Sequence, residues 1–200
     1  MIKKIGITGP SGSGKSELCD SFRSAGIPCI DADKLYHSML LPPSECLDAI
    51  VAAFGNELVN DDGTLNRAAL SSKVFSDPSQ LAKLNATVLP IVIDRIRQLI
   101  ASFEGDGHKA VAIDAPTLIE SGFYKECDIN IAVIAPADLR IARVSERDTI
   151  DTEKARQRVA AQHSDSFYTN IADKVIINDS DKAELKEKAD ALVGDILVTL

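Results

Sequence analysis

The sequence predicts an α/β fold of three layers, a parallel five-stranded sheet with helices on both faces, a helical insertion and a helical lid. Three observations predict it. Short β-branched runs alternate with stretches of helical periodicity, the pattern of parallel strand–helix–strand units. The first run opens into a glycine-rich turn, Gly9-Pro-Ser-Gly-Ser-Gly-Lys15-Ser16, which leads into a helix. Two all-helical excursions interrupt the alternation, one long and one rich in charge.

Ile2 to Thr8 is β-branched and ends at the glycine-rich turn, so it reads as the first strand. A helix follows from about Gly14 to Ala25 and stops at Gly26, a C-terminal glycine. Ile27 to Ile30 is a second strand, followed by Asp31-Ala-Asp33. Lys34 to Leu40 is helical and ends before Pro42-Pro43. From Ser44 to about Phe103 the period is helical, with Leu47, Ile50, Val51 and Phe54 on one face and Ile93, Ile96 and Ile100 on another. The loop Asn60 to Gly63 interrupts it, and Pro90 is expected to kink or restart the last helix. Ala110–Asp114, Ile129–Ile134 and Val175–Ile177 are the remaining strands. A charged helical stretch, Asp138 to Gln162, separates the last two, and an amphipathic helix from about Lys182 to Val198 closes the chain. The expectation is a single domain over 1–200, with the insertion at about 41–105 and the lid at about 138–170.

The chain has 200 residues, a net charge of −8, 45% apolar and 26% charged residues, and no Trp. Such a chain buries a sizeable core, and with so few aromatics that core is aliphatic. The acidic balance argues against a nucleic-acid partner. It does not forbid a local phosphate site, because backbone N–H groups can supply the field. Cys19, Cys29, Cys46 and Cys127 lack zinc-ligand spacing and fit unpaired thiols in a reducing, cytoplasmic setting. No apolar run approaches the ~18–20 residues of a membrane helix, and Ile5–Ile7 is too short for the apolar region of a signal peptide.

The glycine-rich turn is a full match to G-x-x-x-x-G-K-[ST], in the strand-before, helix-after context that the motif requires. Its glycines let several N–H groups turn inward as a nest for phosphate oxygens. Ser11, Gly12, Ser13, Gly14, Lys15 and Ser16 are the nucleotide-binding candidates, Lys15 as a point charge and Ser16 as the hydroxyl ligand of Mg²⁺. Asp31 and Asp33 follow the second strand, where open α/β sheets hold ligands. Two residues apart on a strand, they would point the same way, as a general base and as support for the metal's water shell. Asp33 would equally cap a helix beginning at Lys34. Arg140, Arg143 and Arg147 fall on one helix face, with Arg156 and Arg158 beyond. They suit a clamp over polyphosphate, or a solvated face paired with Glu146, Asp148 and Glu153. Asp114, opening Asp114-Ala-Pro-Thr-Leu-Ile-Glu120, is either a Walker-B-type support for the metal or a plain strand terminus. His37, His108 and His163 have no ligand spacing.

With these motifs in order, the chain resembles the dephospho-CoA kinase family of P-loop kinases. The resemblance runs from Ile5 to about Asp179 and rests on Thr8–Ser16, Ile30-Asp-Ala-Asp33, Asp62-Gly-x-Leu-x-Arg-x-x-Leu70, Leu84-Asn85 with Pro90, Asp114-x-Pro-x-Leu-x-Glu120, Arg147-Asp148 with Arg158 and Gln162, and Ala172-Asp-x-Val-Ile-x-Asn178. Pro10 departs from the pattern and has no N–H to donate, Leu89 stands where the family usually has His, and Thr117 where it has Leu.

The resemblance implies a P-loop kinase fold. It implies transfer of the γ-phosphoryl of ATP, with Mg²⁺, to the ribose 3′-hydroxyl of dephospho-CoA. It implies Asp33 as the base or orienting carboxylate, Arg140 with neighbours such as Arg147 as the phosphate clamp, and Asn178 near the adenine. The insertion would bind the acceptor, and the enzyme would be a cytoplasmic monomer or small homo-oligomer with no membrane or nucleic-acid partner. The alternative is another small-molecule P-loop kinase acting on a nucleoside or nucleoside monophosphate. A GTPase switch would need Asn-Lys-x-Asp, which does not occur.

Overall fold

The structure is a computed structural model and describes residues 1–75 and 77–199. In chain order the elements are β1 (Lys3–Thr8), α1 (Lys15–Ser24), β2 (Cys29–Asp31), α2 (Ala32–Ser38), α3 (Glu45–Phe54), α4 (Arg67–Phe75), α5 (Pro78–Gly105), β3 (Ala110–Asp114), β4 (Ile129–Ile134), α6 (Ala137–Asp148), α7 (Thr152–Ala160), α8 (Asp165–Thr169), β5 (Lys174–Ile177) and α9 (Lys182–Leu197). They fall into two compact units, Met1–Asp31 with Ile100–Leu200, and Ala32–Leu99.

The first unit holds a five-stranded parallel sheet in the order β2-β3-β1-β4-β5, with helices on both sides. The chain moves out from β1 to β2, returns to β3, then crosses to β4 and β5 on the other side of β1. β1 therefore lies where the strand order reverses, and its carboxyl end opens at the crevice such sheets use for ligands. Register sets Asp31 opposite Asp114, and Asp114 opposite Ile7, along that same edge. Ile5, Ile7, Ala112, Ile131, Val133 and Ile176 face α1 and α9, which supply Leu18, Phe22, Leu185, Ala189 and Val193 to one aliphatic core. Burying both faces explains why the central strands read as continuous apolar runs. On the opposite face Gly6 is so closely covered that a Cβ would come within 2.8 Å of Leu118 and Asn130. Asp173 ties β5 to β4: its Oδ2 accepts the Asn130 N–H at 2.8 Å, and its own N–H donates to the Asn130 carbonyl at 2.8 Å.

The second unit is helical around its own core of Leu47, Ile50, Phe54, Leu58, Leu65, Leu70, Leu84 and Val88. Ser44 caps α3 by accepting the Leu47 N–H at 3.1 Å. The Asp62-Gly63 turn is held by Asp62 Oδ1, which accepts the Thr64 N–H at 3.0 Å, and Asn66 caps α4 through the Ala69 N–H at 3.0 Å. Pro90 does not restart the helix: α5 continues through it over its 28 residues. The Pro costs one backbone bond, and the buried row Leu84, Val88, Val92 and Ile96 holds the helix together across it. The charged helical stretch is divided: Thr149 takes a left-handed φ of 51° after α6, and Asp151 starts α7 by accepting the Lys154 N–H at 2.8 Å. Ile141, Val144, Ala155 and Val159 are the small apolar seam between α6 and α7. Among the described residues no helix is long and apolar enough to cross a membrane.

Candidate active site

The glycine-rich turn between β1 and α1 is closely approached by backbone at two of its glycines. At Gly9, with φ +143°, an added Cβ would lie 2.1 Å from the Val133 carbonyl oxygen, so the turn passes directly over the end of β4. At Gly12, with φ +78°, a Cβ would lie 2.8 Å from the Arg140 carbonyl oxygen, so the backbone of α6 abuts the turn. Only glycine meets both demands, a left-handed torsion and a backbone at van der Waals distance. Lys15 Nζ donates to the Gly9 carbonyl at 2.8 Å and the Pro10 carbonyl at 3.3 Å, and the Ser13 N–H donates to the Pro10 carbonyl at 3.3 Å. Pro10, with no N–H to offer, thus serves the loop through its oxygen. α1 follows with Gly14 at its N-cap and no side chain on its first amides, which suits that end to an anion. Ser16 is exposed in the first turn.

Three residues on from Ser16, Cys19 donates from Sγ to Asp114 Oδ2 at 3.6 Å, which sets Asp114 against α1. Hydrogen bonding to Cys29, then burial, then the Asp114 charge hold the Cys19 thiol far above its ordinary pKa. Burial likewise pushes Cys127 up to about 12. Both behave as small hydrophobes. Asp33 is exposed in the first turn of α2, in the second unit. It does not share a strand with Asp31, because β2 ends at Asp31 and the helix starts one residue later. Nor does it cap that helix from outside, since α2 already begins at Ala32.

The α6–α8 segment brings its arginines to the turn unequally. Arg140 is only 7% exposed; its Nη1 donates to Gln162 Oε1 at 3.5 Å, and its buried Nε has no hydrogen-bond partner among the described residues. Arg143 spends its guanidinium on three oxygens, Gly12 O at 3.3 Å, Asn178 Oδ1 at 3.1 Å and Ser180 O at 3.2 Å. Arg147 Nη2 reaches Ser11 Oγ at 3.2 Å, while its Nε and the Nη1 of Arg158 converge on Asp148 at 2.8 and 2.7 Å. The Arg147 guanidinium first, with Arg158 behind it, holds the Asp148 carboxyl below the usual range. Arg156 stays on the outside, 3.8 Å from Glu153.

Asn178, after β5, is 2% exposed and donates from Nδ2 to the Ser13 carbonyl at 2.7 Å. It therefore braces the turn from behind and holds Arg143 with its other atom. Beside it lies a depression of about 410 Å³, lined by Gly14, Ser16, Arg143, Asn178, Ser180 and Lys182 among others. Two of the sequence-derived residues take tasks that their spacing did not specify. Arg143 joins the turn to the β5–α9 connection. Gln162 Oε1 accepts the Ser11 N–H at 3.1 Å. His163 stacks on Phe167 at 3.8 Å and faces Glu120 at 3.5 Å.

The comparisons with known proteins fit this geometry. The sequence model of the dephospho-CoA kinase family matches residues 3–184. The chain belongs to the dephospho-CoA kinase family. It is 34% identical to the dephospho-CoA kinase of Corynebacterium efficiens, with 98% of each chain covered. It is 36% identical to that of Thiobacillus denitrificans over 94% of this chain and 92% of the relative. Among solved structures, a Thermus thermophilus protein superposes with a TM-score of 0.79 at 30% identity, covering 97% of each chain. The dephospho-CoA kinase of Campylobacter jejuni reaches 0.72 at 22% identity and 98% coverage of each, a likeness of fold. The shikimate kinase of Acinetobacter baumannii, at a TM-score of 0.56 and 15% identity, is a more distant likeness of fold. As a member of the dephospho-CoA kinase family, the chain is an ATP-dependent kinase with the family's three-layer fold.

Proposed function

We propose that the chain transfers the γ-phosphoryl group of ATP to the ribose 3′-hydroxyl of dephospho-CoA, giving CoA and ADP, the last step of coenzyme A biosynthesis. The observation that carries the reading is the complete phosphate loop, braced by Asn178 and abutted by α6, in a chain that matches this family from residue 3 to 184.

Phosphoryl transfer asks a protein for positioning and charge neutralisation more than for covalent chemistry. The amides of residues 11–16 and Lys15 hold the ATP phosphates. Arg140, whose buried Nε has no hydrogen-bond partner among the described residues, suits an anion, and Arg147 approaches from the side of Ser11. The depression beside Asn178, Ser180 and Lys182 takes the nucleoside half. Asp33 orients the acceptor hydroxyl and receives its proton, and the helical unit Ala32–Leu99 binds the acceptor. Among the described residues no cluster of three or more His, Cys, Asp or Glu would hold a metal by itself. Mg²⁺ would therefore share its ligands with the nucleotide through the Ser16 hydroxyl, with Asp114 behind α1, and it supplies charge neutralisation on the phosphate oxygens when bound. Shielding the site from water keeps transfer ahead of hydrolysis. We further propose that the enzyme works in the cytoplasm as a monomer or small homo-oligomer on this small-molecule acceptor, without nucleic acid.

Coupled ADP release against a panel of acceptors tests the reading. Dephospho-CoA should support turnover at least about 10²-fold faster than adenylate or uridine, because recognition of the correct acceptor is what assembles the site. Preference for adenylate or uridine would instead assign a nucleotide or nucleoside kinase.

A further inference from the structure

We propose that Gln162 is a positioning residue of the kinase: its side-chain carbonyl latches the α6–α8 segment to the phosphate loop and sets Arg140 over it. The inference rests on the kinase reading above and adds a residue whose only route to the chemistry is through its neighbours.

Gln162 follows the C-terminal end of α7, where the helix ceases to satisfy its own groups. Its Oε1 accepts two donors of different origin, the Ser11 backbone N–H at 3.1 Å and Arg140 Nη1 at 3.5 Å. The first belongs to the phosphate-binding nest, and the second to the most buried arginine of the segment. One oxygen therefore fixes the distance between the loop's amide and the guanidinium. Among the described residues no other hydrogen bond steers the Arg140 head group, and its buried Nε has no partner there. A buried cation with so little to hold it depends on that oxygen for its direction.

Two consequences follow from this sharing. A phosphate oxygen arriving at Ser11 meets a donor already used by a neutral carbonyl, so it displaces a weak acceptor rather than a charged one. Arg140 is already beside that oxygen when the exchange occurs, so the guanidinium need not be recruited from solvent. Loss of the carbonyl should thus leave nucleotide affinity nearly intact and lower the rate of transfer. Replacing it with a carboxylate keeps the acceptor but sets a negative charge where phosphate must approach.

The experiment compares the wild type with Gln162→Met, Gln162→Glu, Arg140→Met and the Gln162→Met/Arg140→Met double variant, by MgADP titration calorimetry and steady-state transfer from ATP to dephospho-CoA. Gln162→Met, which keeps the bulk and removes the acceptor, should hold Kd for MgADP within about twofold while kcat falls about tenfold. In the Arg140→Met background the same change should lower kcat by less than about twofold, since both act as one unit. Gln162→Glu should weaken MgADP binding by about tenfold or more at low salt, with part of the loss recovered at high ionic strength.

Additive losses in the double variant would overturn the proposal. So would MgADP affinity falling in step with kcat for Gln162→Met, or Gln162→Glu binding MgADP as the wild type does. A Gln162→Met protein too unstable to assay leaves the glutamate arm and its salt dependence to decide. Failure of the wild type itself to bind MgADP or to phosphorylate dephospho-CoA sinks the kinase reading instead, and so does full activity in Arg140→Met for the clamp.

Discussion

Gly9→Ala tests the packing of the phosphate loop most sharply, because its effect can be worked from two distances. The new Cβ would stand 2.1 Å from the Val133 carbonyl oxygen, and ordinary contact begins at 3.4 Å, so about 1.3 Å of movement is required. The oxygen belongs to β4, which is paired on both sides, so the loop must give way rather than the strand. Overpacking against rigid backbone costs about 1–3 kcal/mol, and the φ of +143° adds about 1–2 kcal/mol for a residue with a Cβ. For a domain of this size each kcal/mol moves the melting midpoint by roughly 2–4 °C, which places the variant roughly 4–20 °C below wild type. Displacing catalytic donors by about 1 Å costs on the order of 10²-fold in rate. Gly26→Ala is the matched control: its φ is +79°, yet nothing lies within 4 Å of its new Cβ. It should lose about 1 kcal/mol and keep full turnover. Differential scanning calorimetry and coupled ADP release on both variants decide the matter. Gly9→Ala turning over within about threefold of wild type would refute the claim that close approach, rather than torsion alone, requires this glycine.

Lys15→Ala and Asp33→Asn should each lower kcat by about 10²-fold or more with melting midpoints near wild type, as measured by coupled assay and circular dichroism; near-normal turnover in Asp33→Asn would remove Asp33 from the mechanism. Asn178→Leu takes the donor from the Ser13 carbonyl and the acceptor from Arg143, so it should cost about 1–3 kcal/mol of stability and weaken MgADP binding in calorimetry. Asp148→Asn probes the ion cluster by pH. The folded carboxyl sits below its ordinary value of 3.8, so its stabilising contribution is present above that value and fades as pH falls through the folded pKa. Urea midpoints should show Asp148→Asn less stable than wild type at neutral pH, with the gap closing below about pH 4; a gap that widens in acid would contradict the assignment.

Much of this was legible in the sequence where the physics is local. The glycine-rich turn, its lysine and the helix after it are contiguous, and each residue's reason can be read from its neighbours. The segment Asp62-Gly-x-Leu-x-Arg was legible as a motif, and the structure gives it a mostly architectural reason: Asp62 holds a turn, Leu65 and Leu70 enter the core, and Asn66 caps α4. Ala172-Asp-x-Val-Ile-x-Asn178 divides in the same way, with Asp173 tying strands, Ile176 in the core and Asn178 on the loop. What sequence could not reveal were partners far apart in the chain. Helical spacing put Arg140, Arg143 and Arg147 on one face, but the neighbours that separate their tasks sit around residues 12, 162 and 178. Asp33 escaped the strand argument because β2 gives way to a helix within one residue.

The most direct test of the account is ³¹P NMR of the mixture after the protein has consumed ATP in the presence of dephospho-CoA. The account predicts a new 3′-phosphomonoester resonance on the acceptor, growing in step with ADP. ADP accompanied only by inorganic phosphate, or a phosphate on any other acceptor position, would contradict it.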